Sequence, residues 1–216
     1  MKIFFEKILE LLFPQKCLGC KKSKVLLCDE CLEKIDHGEN DLSNTHIAST
    51  YHVKTIKRAI WFLKYHKIKT ISKPLSKLLY IRTIKHLKAT GITKWLIIPI
   101  PLSSQRLRQR GFNQSELIGH HFSVMINERE TMSIKEINHV LYRKLNTPTQ
   151  VSIKDRAKRL KNMKNVFGVK NYHLVKKQNI ILIDDVTTTG ATLSEAKKVL
   201  KKAGATEIIC LAIASG

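Results

Sequence analysis

Residues Ile180 to Thr192 read I-I-L-I-D-D-V-T-T-T-G-A-T. The leading apolar residues, with Asn179 before them, predict a buried strand over Asn179–Ile183. Asp184 and Asp185 follow at its carboxyl end, the edge where open α/β sheets bind ligands. Thr187, Thr188, Thr189, Gly190 and Thr192 then lead into a helix expected over Ala191–Ala203. A helix start offers unpaired amides and the positive end of its dipole. The threonine hydroxyls add donors, and Gly190 lets the backbone approach an anion closely. The segment Asp184–Thr192, Val186 and Ala191 included, therefore reads as a cradle for a phosphate monoester.

The carboxylates would repel that phosphate, so they should face another part of the ligand. Vicinal ribose hydroxyls fit, as does a magnesium ion bridging ribose and diphosphate. The ligand class is a ribose 5-phosphate carrying a leaving group. A strand ending in two aspartates also resembles a Walker B element. That would need a Gly-x-x-x-x-Gly-Lys-Ser/Thr loop, which none of the nine glycines supplies. A phosphoacceptor aspartate and an ordinary helix cap remain as alternatives.

Working outward, Glu207–Ala214 reads as a last strand after Gly204. Strand–helix–strand in this order implies a right-handed crossover and a mostly parallel sheet. Upstream, Ile47–Val53 reads as a strand. Lys54–Lys67 reads as a helix with Ile56, Ala59, Ile60 and Leu63 on one face. Pro74 should open another helix, with Leu75, Leu78, Leu79 and Ile84 inward. Trp95–Ile100 is a further buried strand. A basic loop, Ser103–Asn113, and a helix over Gln114–Ile126 should follow. Residues 127–178 are polar and basic, and predict a long loop or hairpin.

The first 45 residues differ from the rest. Cys17-x2-Cys20 and Cys28-x2-Cys31 form two knuckles separated by seven residues. Four thiolates that converge make a closed tetrahedral site, so a structural zinc is expected. Lys16, Lys21, Lys22 and Lys24 would favour the thiolate form. The fifth cysteine, Cys210, reads as core. Paired Cys-x-x-Cys motifs without a secretion signal point to a reducing, cytoplasmic setting. In the opening segment Phe4, Ile8, Leu11 and Leu12 fall at helical spacing. An amphipathic helix there would dock on the cysteine module, or rest on a membrane as a peripheral contact. Residues 1–45 thus form one module and 46–216 the main domain, with a polar linker over 37–46.

The net charge is +22, with 39 basic residues against 17 acidic. A polyanion partner is the functional reading, and a generally lysine-rich composition is the bland one. Lys57, Arg58, Trp61, Lys64, Tyr65, Lys67 and Lys69 interleave cations with aromatics. So does the stretch from Arg143 to Lys170. Stacking combined with counterion release holds single strands without reading their sequence. Lys57, Arg58, Trp61, Lys64, Arg108, Arg156 and Arg159 are the DNA-binding candidates. The alternative is that Trp61 and Tyr65 pack inward.

LFPQKCLGC, CDECL, IPIPLSSQRLRQRGFNQSELIG, TPTQ with the basic stretch to NVF, and ILIDDVTTTGAT occur in that order and cover nearly the whole chain. Together they resemble the ComF family of competence proteins (the ComFC type), which are amidophosphoribosyltransferase-like. The resemblance implies a type I phosphoribosyltransferase fold, Rossmann-like and mostly parallel, behind a small zinc-finger module. It implies a role in DNA uptake during natural transformation, handling incoming single-stranded DNA beside a ComFA-type helicase. By the same resemblance Asp184 and Asp185 match the acid pair that, with magnesium, binds phosphoribosyl diphosphate. Thr187 to Thr192 match the 5-phosphate loop. Ser103, Ser104, Gln105 and Arg106 match the diphosphate loop. Arg110, Gly111, Phe112, Asn113 and Gln114 match the RGFNQ signature. Thr149, Gln150, Arg156, Arg159 and Asn165 resemble a flexible hood.

Phosphoribosyl transfer passes through an oxocarbenium-like state, so the protein's work is positioning and charge stabilisation. Arg106, Arg108 and Arg110 could neutralise a departing diphosphate. Their alternative role is contact with DNA phosphates. No general base is legible, so catalytic residues stay unassigned. The acceptor, the oligomeric state and the DNA path are open. An active phosphoribosyltransferase and a ligand-sensing regulator stand as alternatives to a competence protein that binds.

Overall fold

The computed structural model describes residues 16–36, 45–144 and 165–216. The expected N-terminal helix, most of the linker, and Thr149, Gln150, Arg156 and Arg159 of the hood lie outside them. Five strands form one sheet in the order β1-β7-β6-β2-β3. They are β1 (Thr45–Thr50), β2 (Lys94–Pro99), β3 (Ser133–Glu136), β6 (Ile180–Thr187) and β7 (Ile208–Ser215). Every pairing in it is parallel. A separate antiparallel hairpin joins β4 (Leu141–Arg143) to β5 (Phe167–Val169).

The apolar runs are continuous because both faces of the sheet are covered. Trp95, Ile97, Ile181, Ile183, Ile209, Leu211 and Ile213 join one hydrophobic cluster. Their alternating neighbours Leu96, Ile98, Ile180, Leu182, Ile208 and Cys210 join a second. Helices α2 (Lys54–Tyr65), α3 (Ser72–Ala89) and α5 (Gln114–Arg129) supply the first layer. Helix α6 (Ala191–Lys202) and the hairpin supply the second. Helix α2 buries Ile56, Ala59, Ile60 and Leu63, the stripe expected from its spacing. In α3 Leu75, Leu78 and Leu79 are buried, and the helix begins at Ser72, two residues before Pro74.

Three expectations need correction. The basic segment after β2 is a helix rather than a loop: α4 covers Ser104–Arg110. Ser103 caps it, its hydroxyl accepting from the Arg106 amide at 3.3 Å, and Gly111 ends it in a left-handed conformation. The region after α5 contains the expected hairpin, but it also contains β3, which adds a parallel edge strand to β2 that was not expected. Asn127 fixes it from α5, its side chain donating to the Ile134 carbonyl at 2.9 Å and accepting from the Ile134 amide at 2.7 Å. A strand this short, clamped by a side chain of the preceding helix, leaves no periodic trace. Finally, β6 runs on to Thr187, paired with Ser215 of β7, instead of ending at Ile183.

The cysteine segment packs into the main core. Leu18, Leu27, Leu32 and Ile35 belong to the same cluster as α2 and α3. Lys77 of α3 pairs with Asp29 at 2.6 Å, at the start of the short helix α1 (Asp29–Glu33). Arg82 of α3 donates to the Ile35 carbonyl. Among the described residues no helix is long and apolar enough to cross a membrane.

Candidate phosphoribosyl pocket and metal centre

The carboxyl ends of β6 and β2 lie side by side, and the elements leaving them build the candidate pocket. Extension of β6 narrows the turn before α6 to Thr188, Thr189 and Gly190. Gly190 takes φ 73° and stands as the N-cap of α6, a backbone position that disfavours any Cβ. Its carbonyl accepts from the Ser194 amide at 2.8 Å, so the helix starts at once. Thr189 Oγ1 accepts from the Ala191 amide at 3.4 Å. Thr188, Thr189 and Thr192 are half-buried, while Thr187 is buried within the strand and its carbonyl receives the Gly216 amide at 3.0 Å. Thr187 thus braces the turn rather than lining it.

Asp184 and Asp185 face different partners. Asp185 is buried and pairs with Lys64 of α2, Nζ to Oδ1 2.9 Å. Asp184 Oδ1 accepts from the Ser115 hydroxyl at 3.2 Å and from the Asp185 amide at 2.8 Å. Burial, with the neighbouring Asp185 charge, pushes the Asp184 carboxyl up to about 7, against the opposing pull of Lys64 and these hydrogen bonds. A carboxylate that already holds an ammonium at ion-pair distance has the chemistry to hold a divalent cation. The acid pair therefore fits the cation that a phosphorylated sugar would bring.

Cations approach from the β2 side. Arg106 of α4 is half-buried; burial and Arg110 lower its pKa, while the charges of Asp185 and Asp184 raise it. Arg143 of the hairpin behaves likewise: burial and Arg106 lower its pKa and Asp184 raises it. Arg110 donates to Gln114 Oε1 at 2.6 Å and lies 5.9 Å from the Tyr65 ring. Gln114 is fully buried, and its Nε2 has no hydrogen-bond partner among the described residues. Asn113 caps α5: its Oδ1 accepts from the Ser115 amide at 3.1 Å and its Nδ2 donates to the Ile100 carbonyl at 3.0 Å. The RGFNQ residues thus hold the start of α5 against the end of β2, and deliver Ser115 to Asp184. Ser103 is buried as a cap, whereas Ser104, Gln105 and Arg108 are exposed.

Lys64, Ser115 and Arg143 are the pocket residues that pattern reading missed. Lys64 was expected on a DNA-facing surface; it points into the pocket, with only 16% of its side chain exposed. The other candidates on α2 face solvent, Trp61 at 46% and Tyr65 at 63% exposure, so the inward packing weighed for these two aromatics does not occur. Lys57 is exposed, and Arg58, also exposed, donates to the Leu18 carbonyl at 3.5 Å. Arg156 and Arg159 lie outside the described residues.

The four module cysteines converge, with all sulfurs within 4.8 Å of one another. Cys17 and Cys28 are 3.7 Å apart, and Cys20 and Cys28 3.6 Å. Sulfurs about 2.3 Å from a shared tetrahedral metal would stand close to these separations. Gly19 is required by close approach, since a Cβ there would lie 2.6 Å from Cys31 Sγ. Burial raises the Cys17 thiol pKa, but the amides of Cys28, Cys20 and Gly19 outweigh it and hold the thiol at about 6. The donor set and spacing fit a thiolate-bound metal ion.

Residues 134–216 match the phosphoribosyl transferase domain family. Competence protein F of Haemophilus influenzae is 29% identical over 207 residues, spanning 89% of this chain and 86% of that protein. Competence protein ComFC of Bacillus subtilis is 37% identical over 110 residues, 51% of this chain and 40% of its own length. Together these matches support a ComFC-type phosphoribosyltransferase-like protein. DNA utilization protein YhgH of Escherichia coli O157:H7 is 30% identical over 147 residues, covering 68% of this chain and 61% of that relative. The family match takes in β3, the hairpin, β6, the turn, α6 and β7, whereas α2 and α4, which bring Lys64 and Arg106, precede it. The fold of the chain is the type I phosphoribosyltransferase fold, with the cysteine cluster near its N-terminus.

Proposed function

We propose that this chain is a competence protein that binds a phosphoribosyl diphosphate-type ligand and handles single-stranded DNA entering the cell. The carrying observation is the juxtaposition at one sheet edge: an acid pair, a glycine-hinged turn opening α6, and two half-buried arginines from separate elements. In the proposed complex the α6 amides and the Thr188–Thr192 hydroxyls take the 5-phosphate. Asp184 and Asp185 take ribose hydroxyls and a magnesium ion, while Arg106 and Arg143 face the diphosphate. The cysteine cluster would hold zinc as a structural ion. Competence and DNA-utilization names among the relatives support the biological role. The strand would run along α2, where Trp61 and Tyr65 offer exposed rings amid lysines. A ComFA-type helicase is the proposed partner handing over the strand.

A second reading, transfer to an acceptor, is favoured by Asp184, since a carboxyl held near neutrality suits proton exchange. Three measurements test these readings. Phosphoribosyl diphosphate with magnesium should raise the melting temperature, and the double change Asp184→Asn with Asp185→Asn should abolish the rise. A labelled single strand should bind more weakly as salt increases. Diphosphate release across a panel of amines and bases decides turnover. A flat DNA titration at low salt, or an unchanged thermal shift in the double variant, would remove the corresponding half of the proposal.

A further inference from the structure

We propose that Lys64 belongs to the working machinery of the pocket: its ammonium is a tethered cation that competes with the divalent metal for Asp185 and sets how much metal ligand binding requires. The proposal rests on the phosphoribosyl reading above.

Lys64 Nζ lies 2.9 Å from Asp185 Oδ1, with the two side chains 16% and 10% exposed. Such a pair is unlike the solvated ion pairs of a lysine-rich surface. Helix α2 is anchored by Ile56, Ala59, Ile60 and Leu63, all fully buried, so the point from which Lys64 reaches is fixed by the core. Two adjacent carboxylates repel each other at a sheet edge, and Lys64 offsets that repulsion while the pocket is empty. Arg106 feels the charge of both aspartates and Arg143 that of Asp184, and among the described residues only Lys64 is within salt-bridge distance of the pair.

A small divalent cation needs oxygen ligands at about 2.0–2.1 Å in near-octahedral array. An ammonium on the same carboxylate repels such an ion and takes up one of its lone pairs. Metal entry at Asp185 must therefore move Lys64 away, against the attraction of a mostly buried partner. The four-carbon stem allows that swing without moving α2. Lys64 then raises the metal concentration at which the pocket accepts a phosphorylated sugar.

The test is magnesium titration at fixed phosphoribosyl diphosphate, read as the ligand-dependent shift in melting temperature. It compares the native full-length chain, Lys64→Met, and Lys57→Met as a control that loses the same charge from an exposed site on α2. Lys64→Met should reach half its ligand shift at about one-tenth the magnesium, a change of ~1.4 kcal/mol in the competition. Lys57→Met should follow the native curve. Lys64→Gln, which keeps a donor to Asp185 without the charge, should move the same way and serves if the Met variant folds poorly. Manganese binding without sugar, followed by its paramagnetic signal, should tighten in the Lys64 variants. An unchanged metal midpoint overturns the proposal. So does a smaller ligand shift at every magnesium level, which would make Lys64 a direct ligand contact. No shift in any of the proteins at any metal concentration removes the phosphoribosyl reading itself.

Discussion

Replacing Asp184 by Asn should make stability between about pH 4 and pH 7 less dependent on pH. In the folded chain burial and the Asp185 charge push the Asp184 carboxyl from 3.8 to about 7. The folded state therefore keeps a proton that the unfolded chain surrenders at lower pH. The stability tied to that proton is complete below about pH 4 and is lost as pH rises through about 7. A rise of this size corresponds to at most about 4 kcal/mol at the alkaline end. Asn carries no charge to desolvate, and it keeps an oxygen for the Ser115 hydroxyl and the Asp185 amide, now 3.2 and 2.8 Å from Asp184 Oδ1. Urea unfolding can be followed by the fluorescence of buried Trp95, without added magnesium or chelator. The native chain and Asp184→Asn should converge below about pH 4 and diverge by about 2–4 kcal/mol above about pH 7, the variant being the more stable. Groups common to both proteins cancel in the difference. A constant offset across that range would refute the assignment of a protonatable, desolvated carboxyl to this position.

Two further outcomes concern other parts of the molecule. Gly19→Ala should lower the metal content per chain and lower the melting temperature together, because the new Cβ would fall 2.6 Å from Cys31 Sγ. Elemental analysis beside thermal unfolding checks this, and full metal occupancy with native stability would contradict the tight-approach argument. Trp61→Ala should weaken single-stranded DNA binding by about 1–3 kcal/mol, the loss of one stacked base, with little change in the salt slope. An anisotropy titration at several salt concentrations separates the two. An altered slope with unchanged affinity at reference salt would mean that the ring does not stack.

What could be read from the chain alone was whatever is written in contiguous residues. The apolar runs at Trp95–Ile100 and Ile180–Ile183, the stripe Ile56, Ala59, Ile60 and Leu63, and the paired Cys-x-x-Cys knuckles each carry a local period or spacing. The threonine-rich turn before α6 and the two aspartates were legible for the same reason. Tertiary structure decided which distant groups share the pocket. Lys64 and Asp185 are far apart in sequence, and nothing in the repeat of α2 separates Lys64 from its solvated neighbours. It reaches the acid pair because the buried stripe turns that side of the helix toward the end of β6. Arg143 is brought in by the hairpin, and Ser115 by the cap that Asn113 makes against the Ile100 carbonyl. Charge partners chosen by packing leave no period in the sequence, since Coulomb attraction depends on distance in space and the chain sets that distance only once its core has closed.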